Sequence, residues 1–155
     1  MNYQDLLDLL IKNNLTISSI ESLTGGLFAS CFTSISNASK AYKGSIVTYT
    51  NEIKEKTGVK KDTIDKYGAI SEECVLEMAT NCKSYFNSDV SVSFSGNAGP
   101  TSSEGKEVGL VYICIIVKDN INVFELHFDG TRNEIRNKCV DFAFNKIIEI
   151  IKQLF

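Results

Sequence analysis

The sequence predicts an α/β domain with helices on both faces of a mixed sheet, and three observations lead there. Helical apolar stripes and short β-branched runs follow one another in the order α, β-α-β, α, β, β, β, α. The run VGLVYICIIV at 108–117 is apolar throughout, as a central strand covered on both faces would be. Asp119-Asn120 then joins it to a further strand at hairpin spacing. Given right-handed β-α-β crossovers, the first, second, third and fifth strands run parallel and the fourth is reversed.

Taken in order, residues 3–13 suit an amphipathic helix, with Tyr3, Leu6, Leu7 and Leu10 on one side and Asn13-Asn14 as its stop. Leu15–Ile20 is the first strand. The turn ESLTGG carries two glycines that permit backbone angles closed to other residues, and Leu27, Phe28, Cys31 and Ile35 make the next helical stripe. Ser45–Thr50 is the second strand. The polar KEKTGVKKDTIDKYG stretch reads as surface loops and short helices. Glu72 and Glu73 suit the first turn of a helix buried through Val75, Met78, Ala79, Cys82 and Phe86. Asp89–Ser95 alternates Val90, Val92 and Phe94 with serines that face another layer. After 108–117 come the strand Ile121–Phe128 and a final helix over 131–153.

Composition narrows the function classes. The 155 residues are 43% hydrophobic and 23% charged, with a formal net charge of −3, and read as one globular domain over 1–155. The charge balance disfavours a nucleic-acid partner. No apolar stretch is long enough for a membrane span, and the acidic N-terminus lacks a signal-peptide pattern. Cys31, Cys74, Cys82, Cys114 and Cys139 are odd in number, widely spaced and set in apolar runs, which fits free thiols and a cytoplasmic location. With one histidine and no CxxC pair, no metal and no cofactor are expected. An exposed strand or apolar helix could pair by two-fold symmetry, so a homodimer is expected.

The carboxyl ends of the parallel strands present four segments on one edge: ESLTGG, YTNEIK, SGNAGP and GTRNEIR. Ser22, ahead of a helix start, is either a nucleophile beside backbone donors or a cap, with Thr24, Gly25 and Gly26 shaping the turn. His127 lies inside a strand and serves poorly as its base. Lys54 is the remaining candidate base if burial depresses its pKa; otherwise it is a solvated lysine among Lys56, Lys60 and Lys61. Tyr49 orients the pair or packs at the rim. Gly96, Asn97, Ala98, Gly99 and Pro100 bring amides near a ligand or form a tight turn. Arg132 and Arg136, four apart, clamp a phosphate or carboxylate or pair with Glu134 and surface acids. Lys106 is a further candidate phosphate neighbour.

Together ESLTGG, KGSIVTYTNEIK, GAISEE, SGNAGP, KEVG and FDGTRNEIR resemble, in order and over about residues 3–153, the C-terminal domain of the competence/damage-inducible CinA family. That family includes nicotinamide-nucleotide amidases. The resemblance implies a three-layer α/β/α sandwich with a mixed five-stranded sheet, its fourth strand antiparallel. It also implies hydrolysis of nicotinamide mononucleotide to nicotinate mononucleotide and ammonia by a stand-alone amidase. On the family pattern Ser22 is the nucleophile, Tyr49 and Lys54 its partners, and Ser95, the 96–99 loop, Arg132 and Arg136 carry the nucleotide. The chain departs from the pattern at Leu23, Ser36-Asn37, Asn97, Glu107 and a loop before Lys106 without the usual glycine pair. Asn97 and the changed 101–107 loop motivate a second expectation, a catalytically inactive pyridine-nucleotide-binding or accessory protein.

Overall fold

A computed structural model describes residues 3–155. Its strands are β1 (Ile17–Glu21), β2 (Tyr42–Val47), β3 (Val90–Gly96), β4 (Leu110–Val117) and β5 (Asn120–His127). Its helices are α1 (Tyr3–Lys12), α2 (Leu27–Thr33), α3 (Asn51–Lys56), α4 (Lys61–Tyr67), α5 (Glu72–Phe86) and α6 (Arg132–Leu154), with a 3-10 turn at Ala38–Lys40. The sheet order is β2-β1-β3-β4-β5. β1 runs parallel to β2 and β3, and β4 runs antiparallel to both its neighbours. This is the three-layer α/β/α sandwich with one reversed strand.

Two cores flank the sheet. On one face α1, α2 and α6 bury Leu6, Leu10, Phe28, Phe32, Ala143 and Phe144 against Val90, Val92, Phe94, Ile113 and Ile115. On the other face α4 and α5 bury Ile64, Val75, Met78 and Cys82 against Ile20, Cys114 and Ile116. The alternation in β3 serves both sides. Its valines and Phe94 enter the first core, while Ser91 and Ser93 donate to the carbonyls of Ala79 and Val75 in α5, at 2.8 and 2.6 Å. Small side chains thus let the helix pack closely, and each buried hydroxyl has an acceptor.

Two expectations about elements need correction. The second strand is Tyr42–Val47 rather than Ser45–Thr50. It is an edge strand whose residues are mostly half-buried, so no alternation marks its start, and Thr50 is instead the N-cap of α3, accepting from the Ile53 amide. The polar stretch after it is also less superficial than its composition suggests. It places Lys54 at 2% exposure, with Val59 and Ile64 also buried.

Candidate active site

β1 ends on the buried Glu21, and the residue after it is Ser22, whose amide donates to the Phe94 carbonyl of β3 at 3.1 Å. The chain then turns through Gly25 and Gly26, with φ of 55° and 95° in the left-handed region that glycine tolerates. Glu21 accepts the Phe28 amide at 2.9 Å and the Ala29 amide at 3.1 Å, and Ser45 donates to it at 3.0 Å. A carboxylate therefore already occupies the positive end of α2. The Gly25 amide is likewise engaged, donating to the Ser22 carbonyl. Thr24, Gly25 and Gly26, expected to shape the turn beside a ligand, are absent from the cavity lining. Thr24 is fully buried, and of this turn only Ser22 and Leu23 reach the lining.

Lys54 meets Ser22 from the other side. Capped by Thr50, α3 carries Lys54 on its inward face, and its Nζ donates to Ser22 Oγ at 2.9 Å. Burial pushes the Lys54 pKa below the usual lysine value, against opposing pulls from Cys74 and Glu104. A buried amine of lowered basicity in contact with a hydroxyl can accept that hydroxyl's proton once the amine is neutral.

The cavity above this pair has a volume of about 360 Å³, within the size range of small-molecule sites. Ser95–Gly99 form one wall. Within it Ser95 donates to the Ala69 carbonyl at 2.8 Å, fixing the opposite turn. Arg132, at the start of α6, donates to the Gly99 carbonyl at 2.6 Å and to the Tyr49 hydroxyl at 2.7 Å. Tyr49 is thus a rim residue bonded to Arg132, with no hydrogen bond to Ser22 or Lys54 among the described residues, contrary to its expected orienting role.

Several other expected ligand contacts have structural work instead. Arg136 donates to the carbonyls of Leu23 and Thr24, both at 3.0 Å, and lies outside the cavity lining. It braces the turn that carries Ser22 and is not placed to clamp an anion. Lys106 points at the carbonyls of Tyr67 and Ile70. His127 lies at the exposed sheet edge between Glu107 and Glu125, away from Ser22. Asn97 lines the cavity, but its amide nitrogen donates to the carbonyls of Ser103 and Lys106, and its oxygen accepts from the Ser103 amide and hydroxyl. The amide that replaces an apolar residue of the family pattern therefore staples the divergent loop.

Sequence reasoning missed two lining segments, Ala69-Ile70 and Thr101–Glu104. The available signal was a hydroxyl-rich run between two strands, TSSEGK, flanked by glycine-containing turns. No cluster of metal-ligating side chains occurs among the described residues, and no described helix is long and apolar enough to cross a membrane. The five cysteines are free.

A family model for the CinA C-terminal domain matches residues 2–151. The chain is 48% identical over 142 residues, 90% of its length, to a CinA-like protein of Fervidobacterium nodosum, covering 35% of that relative. It is 41% identical over 143 residues, 92% of its length, to a putative competence-damage inducible protein of Bacillus subtilis, covering 34% of it. The chain thus spans about a third of the length of the curated relatives it matches. Among solved structures, a CinA superfamily protein of Klebsiella pneumoniae superposes with a TM-score of 0.95 at 26% identity, over 97% of this chain and 96% of that one. The competence/damage inducible protein CihA of Agrobacterium tumefaciens superposes with a TM-score of 0.85 at 33% identity, over 94% of each chain.

Proposed function

The chain belongs to the CinA C-terminal domain family, and from that premise we propose that it hydrolyses the carboxamide of nicotinamide mononucleotide, giving nicotinate mononucleotide and ammonia. The observation that carries this reading is the 2.9 Å contact between Lys54 Nζ and Ser22 Oγ at the floor of a cavity of nucleotide-compatible size. Neutral Lys54 takes the hydroxyl proton as Ser22 Oγ bonds to the amide carbon. The resulting ammonium returns the proton to the departing nitrogen, and ammonia leaves. Water, deprotonated by the same amine, then cleaves the acyl ester and regenerates Ser22.

Leu23 lines the cavity, and its amide has no intramolecular acceptor among the described residues. We assign that N–H to the developing oxyanion, a role in which one donor is worth about 3 kcal/mol. Arg132 and Gly96–Gly99 line the same cavity as Ser22 and suit the anionic nucleotide end, so that binding away from the amide orients it for attack.

A time course of ammonia and nicotinate mononucleotide from nicotinamide mononucleotide tests the reading. The intact protein is expected to form both at equal rates, with Ser22→Ala and Lys54→Ala each slower by about 10³-fold. Nucleotide binding without turnover would replace this reading with the ligand-binding one.

A further inference from the structure

The loop 101–107 lines the cavity through Thr101–Glu104 and anchors on the turn before α5. Glu104 accepts the Ala69 amide at 2.7 Å and the Ile70 amide at 3.1 Å, while Lys106 bonds the carbonyls on either side of them and Glu104 itself at 3.2 Å. Glu104 takes a left-handed φ of 61°, unusual for a residue with a β-carbon. Its carboxylate stands where a Gly68 β-carbon would be, 2.5 Å from Oε1, so glycine alone leaves room for this contact. Resting on the reading of Lys54 as the base, we propose that Glu104 is a positioning residue for the Ser22–Lys54 pair: it fixes the wall of the cavity that it and Lys54 both line and places a negative charge there, and Lys106 tempers that charge.

The groups around Lys54 support this assignment. Cys74, from α5, has its thiol pushed up to about 12 by burial and is neutral near pH 7. Ser22 contributes an uncharged hydroxyl, and Tyr49 and Arg132 border the cavity at its rim. Glu104, from the loop, is the carboxylate whose field reaches Lys54. Burial opposes its ionisation, but the two amides and Lys106 outweigh burial and hold it below the usual glutamate value. It is therefore charged at neutral pH. Its field favours the ammonium form of Lys54, opposing the effect of burial. Too little of this field leaves an amine that protonates weakly when the leaving nitrogen needs a proton; too much leaves a lysine that cannot act as base.

The charge role gives opposite signs for two variants. Glu104→Gln removes the anion and lowers the Lys54 titration midpoint. Lys106→Met exposes the anion's full charge and raises that midpoint, while both amide bonds to Glu104 stay in place. The measurement is a pH titration of the intact protein carrying isotope-labelled lysine ε-carbons, with the Lys54 resonance identified by its loss in Lys54→Arg. Opposite displacements are the expected result, and the acid limb of kcat/KM on nicotinamide mononucleotide moves with them. A midpoint unmoved in both variants, or moved the same way in both, overturns the proposal. Should Glu104→Gln fail to fold, an unmoved or lowered midpoint in Lys106→Met alone overturns it. Opposite displacements in a protein that releases no ammonia would reject the amidase reading and leave the electrostatic role of Glu104 standing.

Discussion

Lys54 Nζ lies 2.9 Å from Ser22 Oγ although 32 residues separate the two in sequence. The sheet brings them together: Ser22 leaves the end of β1, and β2, which pairs parallel with β1, leads at the same edge into the helix carrying Lys54. The pair needs both an exchangeable amine proton and this separation. Ser22→Ala, Lys54→Met and Lys54→Arg are therefore each expected to lower turnover about 10³-fold. The arginine variant keeps the charge but cannot release a proton near neutral pH. Steady-state ammonia release checks all three.

Burial of Lys54 also sets a pH dependence. Its folded pKa lies below the unfolded one, so the unfolded chain binds more protons between the two values. The destabilising effect is fully present below the folded pKa and is relieved as pH rises through that window toward the ordinary lysine value. Catalysis should rise with pH over the same titration, since only the neutral amine is a base. Lys54→Met is expected to stabilise the protein at neutral pH by about 1 kcal/mol, and to abolish this lysine's contribution to the pH dependence. Thermal unfolding across pH compares the two proteins.

Arg132 and Arg136 separate by function. Arg132→Ala removes a cation at the cavity and should raise KM more than it lowers kcat. Arg136→Ala leaves the Leu23 and Thr24 carbonyls without their guanidinium donor. It should lower kcat and cost about 2 kcal/mol of stability. Full kinetics on both variants, with unfolding curves, distinguish bracing from binding.

Asn97→Ala removes the staple of the 103–107 loop. The Ser103 amide and hydroxyl and the carbonyls of Ser103, Lys106 and Glu107 lose their partner, so stability should fall by about 2 kcal/mol. Hydrogen exchange should quicken across Ser103–Glu107, and KM should rise because that loop walls the cavity. Asn97→Ile, which restores the family-like residue alone, is expected to behave as Asn97→Ala does, because the loop here is built around the amide.

Strand alternation in β3, the apolar run of β4 and the hairpin to β5 made the sheet legible, because each element's burial follows a simple period. β2 starts three residues before the sequence pattern suggests, because an edge strand with half-buried residues has no such period. The four converging segments were also legible, and Ser22, Tyr49, Lys54, Ser95–Gly99 and Arg132 all reach the cavity. Residue patterns alone left Ser22 and Lys54 with competing roles; the resemblance singled them out as a pair. Arg136, Thr24, Gly25 and Gly26 belong to the scaffold behind the nucleophile, a distinction that depends on which way a turn faces. Glu104 was illegible because its partners, Ala69 and Ile70, lie 34 or 35 residues away and are backbone amides, which carry no sequence signature.

The central claim is covalent chemistry at Ser22, and mass spectrometry of enzyme acid-quenched during turnover addresses it most directly. The expected result is an adduct equal to nicotinamide mononucleotide less ammonia, mapped to the peptide containing Ser22 and absent from Ser22→Ala, whose ammonia release is slower by about 10³-fold. Ammonia release by Ser22→Ala at the rate of the unaltered protein, with Ser22 unmodified throughout turnover, would contradict it.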